Sequence, residues 1–272
     1  MKPGAYQAKK KNGELYFRSS ITSKGRHISL GSYPTEAEAS GAYKDACRIL
    51  ETSSAKGSSV TIENFSHRIR HLSLEKAVVL LNYRDNGIYI KTPVYLRSGY
   101  FSYFLGGGRE LKFDNDDLFY YSEHRILCHD GHLYVNDYGM QYGILTRFGI
   151  KSHAVAGKDF CFANGDESDF RYQNVIVINP YQGVSRIVTR DMVRYLTKVH
   201  INGEFIIGRF RTAVKAAVAY NKACDLAVSA GVEKNYIQNY ITELTPREYA
   251  ELYTSITMPE KYLKYLKNYR RD

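Results

Sequence analysis

The chain has 272 residues, 44% of them hydrophobic, which is enough for two or three domains with real cores. It holds no apolar run of about 18 residues and no apolar stretch behind Met1-Lys2-Pro3-Gly4, so neither a transmembrane helix nor a signal peptide is expected, and no membrane partner. The formal net charge of +10 points instead to a polyanion, nucleic acid first.

Cys47, Cys128, Cys161 and Cys224 lie far apart, and none forms a CxxC pair. Small buried thiols in a reducing compartment are therefore expected, with no metal site, and the localisation that follows is cytoplasmic, DNA-associated in a bacterial host cell. The 25 tyrosines, interleaved with Lys and Arg, suit contact with sugar, phosphate and base edges, and they are also ordinary sheet residues.

Residues 1–56 form the first predicted domain. Tyr6 to Lys10 can form a strand. Leu15, Phe17, Ser19 and Ile21 then alternate with Tyr16, Arg18 and Ser20, which is a strand with one buried and one exposed face. Ile28 and Leu30 repeat the alternation, and Lys24-Gly25 turns the two strands into a hairpin. Thr35 caps a helix, with Glu38 completing a capping box, and Ala39, Ala42, Tyr43, Ala46 and Ile49 form its apolar stripe. If that stripe covers one face of the sheet, the other face carries Lys9, Tyr16, Arg18, Ser20, Arg26 and His27.

Residues 57–87 read as a connector with a helix whose apolar side is Leu72, Leu74, Ala77, Val78 and Leu81. Its entry, Ser66-His67-Arg68-Ile69-Arg70-His71, is either a solvated basic turn or a phosphate contact. Residues 88–180 read as short strands and turns. Gly106-Gly107-Gly108 lacks the lysine and helix of a phosphate loop. Asp114 to Asp117 open a short helix through Tyr121, and Asp130-Gly131 is a hairpin turn between 125–128 and 132–135.

Residues 181–232 repeat the first domain. Tyr195, Thr197, Val199, Phe205 and Ile207 point inward; Arg194, Lys198 and His200 point outward, with Arg186 and Arg190 on or near the first strand. Leu30-Gly31-Ser32-Tyr33-Pro34-Thr35 returns as Ile207-Gly208-Arg209-Phe210-Arg211-Thr212. Ala42-Tyr43-Lys44-Asp45-Ala46-Cys47 returns as Ala219-Tyr220-Asn221-Lys222-Ala223-Cys224. The offset is 177 throughout, so one structural unit is used twice. In the tail, 233–272, Thr245-Pro246 starts one helix and Met258-Pro259-Glu260 another, whose apolar side is Tyr262, Leu263 and Leu266; it docks on the second copy or lies beside DNA.

Both copies resemble the plant ethylene-response-factor (Apetala-type) DNA-binding domain, also found in phage and mobile-element proteins. In copy one the match is Tyr6-Gln7-Ala8, Arg26, Leu30-Gly31-Ser32-Tyr33 and Glu38-Ala39 with Ala42-Tyr43. In copy two it is Tyr181-Gln182-Gly183-Val184, Gly208-Arg209-Phe210, Ala216-Ala217 and Ala219 to Ala223. The resemblance implies a three-stranded sheet lying in the major groove, with strand arginines and aromatics reading bases. The chain lacks the strand tryptophans of that family, so no base preference carries over.

Phe160-Cys161-Phe162-Ala163-Asn164-Gly165-Asp166, followed by Asp169, Arg171 and Asn174-Val175, is similar to the core of HNH homing endonucleases. That family needs a histidine to deprotonate water beside a divalent metal. Cys161 and Phe162 stand at those places, and phenylalanine accepts no proton. The expected whole is α+β: two three-stranded antiparallel sheet-plus-helix DNA-binding domains flanking a degenerate HNH-like ββα core. The expected function is sequence-specific, regulatory double-stranded DNA binding of phage or mobile-element type, with no cofactor and no nuclease activity. The alternative is an Mg2+-dependent endonuclease or nickase using His153, Asp169 and Asn174. A third reading has the sheets holding another protein.

Overall fold

Strands Ala5–Lys9 (β1), Leu15–Ser23 (β2) and Arg26–Tyr33 (β3) pair antiparallel in that order. In this computed structural model, which describes residues 2–51, 60–150, 154–157, 159–189 and 192–269, Lys24 and Gly25 both take positive φ, 47° and 76°. That is the hairpin turn whose twist matches its strands. A bulge between Ser19 and Ser20 skips Leu30, so that Ser19 faces Gly31 and Ser20 faces Ser29. Helix Glu36–Leu50 (α1) starts at the Thr35–Glu38 capping box and lays Ala39, Ala42, Ala46 and Ile49, all fully buried, on the side of Ile21, Ile28 and Leu30. Alanine at three of these positions lets the helix approach closely, and each fully buried Ile or Leu contributes about 1.5–3 kcal/mol.

Residues 57–87 were expected to connect, but helix Leu74–Asn86 (α3) is part of this first core. It follows the short helix Phe65–Arg68 (α2), is capped by the Ser73 side chain, and buries every residue from Ala77 to Tyr83. Arg84 Nη1 donates to the carbonyls of Ile49 and Val60, both at 2.8 Å, which satisfies the end of α1 with a cation. Strands Val94–Leu96 (β4), Tyr100–Phe104 (β5) and Glu110–Asp114 (β6) form a second sheet. Phe101 stacks on Phe113 in this sheet, and Tyr121 of helix Leu118–Glu123 (α4) packs tilted against Phe113, ring centres 4.5 Å apart. Strands Ile126–His129 (β7), His132–Asp137 (β8) and Met140–Gly143 (β9) form a third, with the predicted turn at Asp130-Gly131 and a second one of the same kind at Tyr138-Gly139.

The chain forms two compact units rather than a row of modules: Met1–Ile144 with Asn164–Asn174, and Leu145–Ala163 with Val175–Asp272. The expected HNH-like core over 88–180 is thereby divided. Residues 164–174 dock in the first unit through a bridge between Lys112 and Asp169 and the stacking of Phe113 on Phe170. Strands Phe160–Phe162 (β10) and Val175–Val177 (β11) pair in the second unit. The helix of the expected ββα arrangement does not follow them. The chain runs through Pro180 straight into the next strand.

Strands Val184–Thr189 (β12), Met192–His200 (β13) and Glu204–Phe210 (β14) with helix Ala213–Ser229 (α5) form the second copy. The repetition extends to detail. A bulge again skips one residue, Ile207, the counterpart of Leu30. Thr212 caps α5 with φ −124°, the angle of Thr35. Gly4 and Gly183 have φ of 72° and 68°, and a Cβ on either would lie 2.1 Å from the ring of Tyr43 or Tyr220. Cys224 is fully buried and burial pushes its thiol up to about 11, while Cys47 is half-buried; all four cysteines are free. Helices Pro246–Ser255 (α6) and Glu260–Lys267 (α7) dock on this copy. Tyr262 and Leu266 enter its core, and the Tyr262 hydroxyl donates to the Ala223 carbonyl at 2.7 Å. Leu263, expected on the same side, is 44% exposed. Among the described residues no helix is long and apolar enough to cross a membrane.

One asymmetry gives a stability test. Thr197 Oγ1 donates to the Ala216 carbonyl at 2.9 Å, whereas Ser19 Oγ, at the matching place, is buried without a partner among the described residues. Ser19→Thr should gain about 1 kcal/mol, because β-branching suits the strand and presents the hydroxyl to the Ala39 carbonyl. A urea midpoint that stays put or falls would show that the first copy cannot make this bond.

Candidate nucleic-acid interface

Residues facing each other across antiparallel strands share a face, so the register assigns every predicted contact residue. On the first sheet, Tyr6, Arg18 and Ser32 make one row, Ala8 and Tyr16 the next, and Ser20 with Ser29 and Thr22 with His27 the others. This face is open: Arg18, Thr22, His27, Ser29 and Ser32 are exposed, and Tyr6 is 54% exposed. It carries no carboxylate. The Arg18 guanidinium lies 5.5 Å from the Tyr16 ring centre, and its Nε and Nη2 both donate to the Tyr16 hydroxyl, at 3.0 and 2.7 Å. Its remaining donors are left for a ligand, and the tyrosine limits the rotamers that must be frozen on binding.

Two expected members of this face lie elsewhere. Lys9 pairs with Leu15 and takes the side of Ala5, at the end of the sheet. Arg26 adjoins His27, and neighbours in a strand point to opposite faces. It stacks 4.8 Å over the ring of Tyr89, on the helix side.

On the second sheet, Arg194 faces Ile187, Leu196 lies between Ser185 and Arg209, Lys198 faces Ile206, and His200 faces Glu204. Lys198 Nζ bonds Glu204 Oε2, and that bond holds the Glu204 carboxyl below the usual range. Arg186 pairs with Tyr195, whose ring packs on the core, so Arg186 belongs to the helix side rather than the open face. Arg190 and His153 lie outside the described residues.

Arg209 and Tyr6 are the members the sequence reading missed. Simple alternation from Phe205 and Ile207 turns Arg209 inward. The bulge at Ile207 reverses the phase and puts Phe210 on the core, just as Tyr33 replaces Ser32 in copy one. The glycine inside each strand, Gly31 or Gly208, was the available signal.

The Asn164–Asn174 loop is closed on itself. Asp169 is fully buried, and Arg171 grips it with Nε on Oδ1 at 2.8 Å and Nη2 on Oδ2 at 2.6 Å. Asn164 Nδ2 donates to the same Oδ2 at 3.1 Å. Burial alone would raise the Asp169 carboxyl; the Arg171 and Asn164 bonds outweigh it and hold it below the usual range. Asn174 Nδ2 donates to the carbonyls of Asp166 and Asp169, and its Oδ1 accepts from Asn164 N–H at 2.8 Å. Asp166 is lowered chiefly by its bond to Lys112 Nζ, at 2.9 Å. These oxygens are committed to protein donors, so the set does not fit a divalent cation such as Mg2+, which needs them as ligands. Among the described residues no cluster of three His, Cys, Asp or Glu side chains is placed to hold a metal.

Compared with known proteins, the chain matches no family model, no curated protein and no solved structure.

Proposed function

We propose that this is a double-stranded DNA-binding protein, regulatory rather than hydrolytic, whose two three-stranded sheets each turn the face away from their helix into the major groove. The observation that carries the reading is the first face: a central arginine propped by a tyrosine, a ring of hydroxyls, and no carboxylate on three strands. A sheet of this kind suits the groove's width, arginine pairs with guanine, and hydroxyls serve phosphates and either base. Arg194, Lys198 and Arg209 give the second face its charge, and Leu196 and Ile206 suit thymine methyl groups. Two readers on one chain raise affinity through effective concentration where the site lets both engage.

Selection of binding sites from random duplexes is the direct test. Log affinity should fall linearly with log salt, by about 0.9 per phosphate contact. Arg18→Ala should weaken the selected duplex by about 1–3 kcal/mol and relax preference at one base pair, with the melting temperature unchanged because the side chain is exposed. Failure to enrich any sequence, or equal loss of melting temperature and affinity, would overturn the assignment. The apolar residues Ile187, Leu196 and Ile206 favour a second reading for the second face alone, contact with a protein, and binding there that ignores salt would select it.

A further inference from the structure

A second concentration of positive charge lies on α1, on the helix side opposite its alanine stripe. There Ala37, Ser40, Gly41, Lys44 and Arg48 line a cavity of about 500 Å3, faced by the segment from His67 to His71. Small residues open it. A Cβ on Gly41 would come within 2.4 Å of the His71 ring, so that ring lies across bare helix backbone. The buried Asp45 carboxylate shapes the opposing wall: its Oδ2 accepts the N–H groups of Arg70, His71 and Leu72 at 2.9, 2.8 and 3.2 Å. That carboxylate is spent on the backbone and on Arg48, whose Nη1 lies 3.6 Å from Asp45 Oδ1. Among the described residues neither Lys44 nor Arg70 has an ion pair. Arg48 is steadied by donating Nη1 to the Arg68 carbonyl at 3.0 Å, which leaves the rest of its fork available.

The second observation is Ser40. The residue is 2% exposed, lines this cavity, and its Oγ has no hydrogen-bond partner among the described residues. A buried hydroxyl without a partner is a standing cost that an acceptor in the cavity removes. A cavity edged with lysine, arginines and histidine, with a buried serine among its lining, suits an acceptor-only phosphate anion.

We propose that this pocket binds the phosphate group of a phosphate ester. The site is independent of the sheet faces and goes beyond the DNA reading, because α1 lies between the cavity and the sheet. The ester is either a small phosphomonoester or a backbone phosphate of nucleic acid, and the chemistry that recognises it is the same.

The test is titration of the full chain with inorganic phosphate at constant ionic strength, followed by the ring resonances of His67 and His71. Saturable shifts are expected, and Lys44→Ala with Arg70→Ala should weaken binding at least about tenfold. Both side chains are exposed, so the double variant is expected to keep its fold, which its melting temperature checks. Ser40→Ala should weaken phosphate without touching either charge. Displacement of phosphate by adenosine monophosphate but not by duplex assigns the small ester; displacement by duplex assigns the backbone. A response that does not saturate, one unchanged in the double variant, or displacement by neither competitor overturns the proposal. Duplex binding that persists when phosphate binding is absent would leave the sheet-face reading standing while this one falls.

Discussion

Gly183→Ala is expected to destabilise the second unit by about 3 kcal/mol or more, the combined cost of a left-handed backbone and an overpacked core. The added Cβ would sit 2.1 Å from Tyr220 Cδ2 and 2.7 Å from the Lys198 carbonyl oxygen. Neither neighbour can give way. Tyr220 is 6% exposed within the α5 core, and Lys198 is tied to this residue by its own N–H, which donates to the Gly183 carbonyl at 2.8 Å. Gly4→Ala is the internal control. Its Cβ would lie 2.1 to 2.4 Å from Cγ, Cδ2 and Cβ of Tyr43, with no backbone atom among its nearest contacts, and Tyr43 is half-buried where Tyr220 is buried. It should cost clearly less. Urea or thermal unfolding of the two variants measures the difference. Equal losses, or a Gly183→Ala loss under about 1 kcal/mol, would mean that the duplicated glycine does not fix the strand entry in this way.

Asp169→Ala should lower stability of the first unit by about 2–4 kcal/mol, since it leaves Arg171 without its carboxylate and strips Asn164 of an acceptor. The figure is below that for a wholly buried pair because Arg171 remains a quarter exposed. The same bonds set a pH dependence. The Asp169 carboxyl titrates lower when folded than the roughly 3.9 of an unfolded aspartate, so its stabilisation is complete above about pH 5, shrinks as the pH falls through the unfolded value, and is gone below the folded one. Wild-type acid unfolding should therefore be steeper than that of Asp169→Asn. The variant also separates the functional readings. Supercoiled plasmid with magnesium or manganese should stay supercoiled in the presence of wild type. Relaxation that disappears in a still-folded Asp169→Asn would establish the nickase instead.

The repeated pattern made most of the two sheet-plus-helix units legible, because a capping threonine, an alanine stripe and a turn glycine each dictate local geometry within a few residues. Alternation placed Arg18, Lys198 and Thr197 on their correct faces. It went astray where phase depends on pairing: Lys9 and Arg186 lie on outer strands whose register is fixed only by the neighbour, and Arg209 lies beyond a bulge. The integration of α3 into the first core was hidden because a helix buried all round looks like an ordinary amphipathic one when only its best stripe is counted. Nor could the sequence reveal that residues 164–174 leave their flanking strands, since their anchors at Lys112 and Asp114 lie more than fifty positions away. The basic entry at His67 to His71 was visible as charge alone; its meaning depends on Asp45 gathering three amides, a contact that no local pattern encodes.

The two copies keep the same skeleton but are lettered differently where they meet solvent: arginine in the middle of one is leucine in the other, and serine beside the bulge glycine becomes arginine. On the proposed reading, a site gripped by both would be two unlike words, so a single molecule would have a head and a tail on the duplex. It could mark a direction along DNA, which a symmetric dimer on a palindrome cannot.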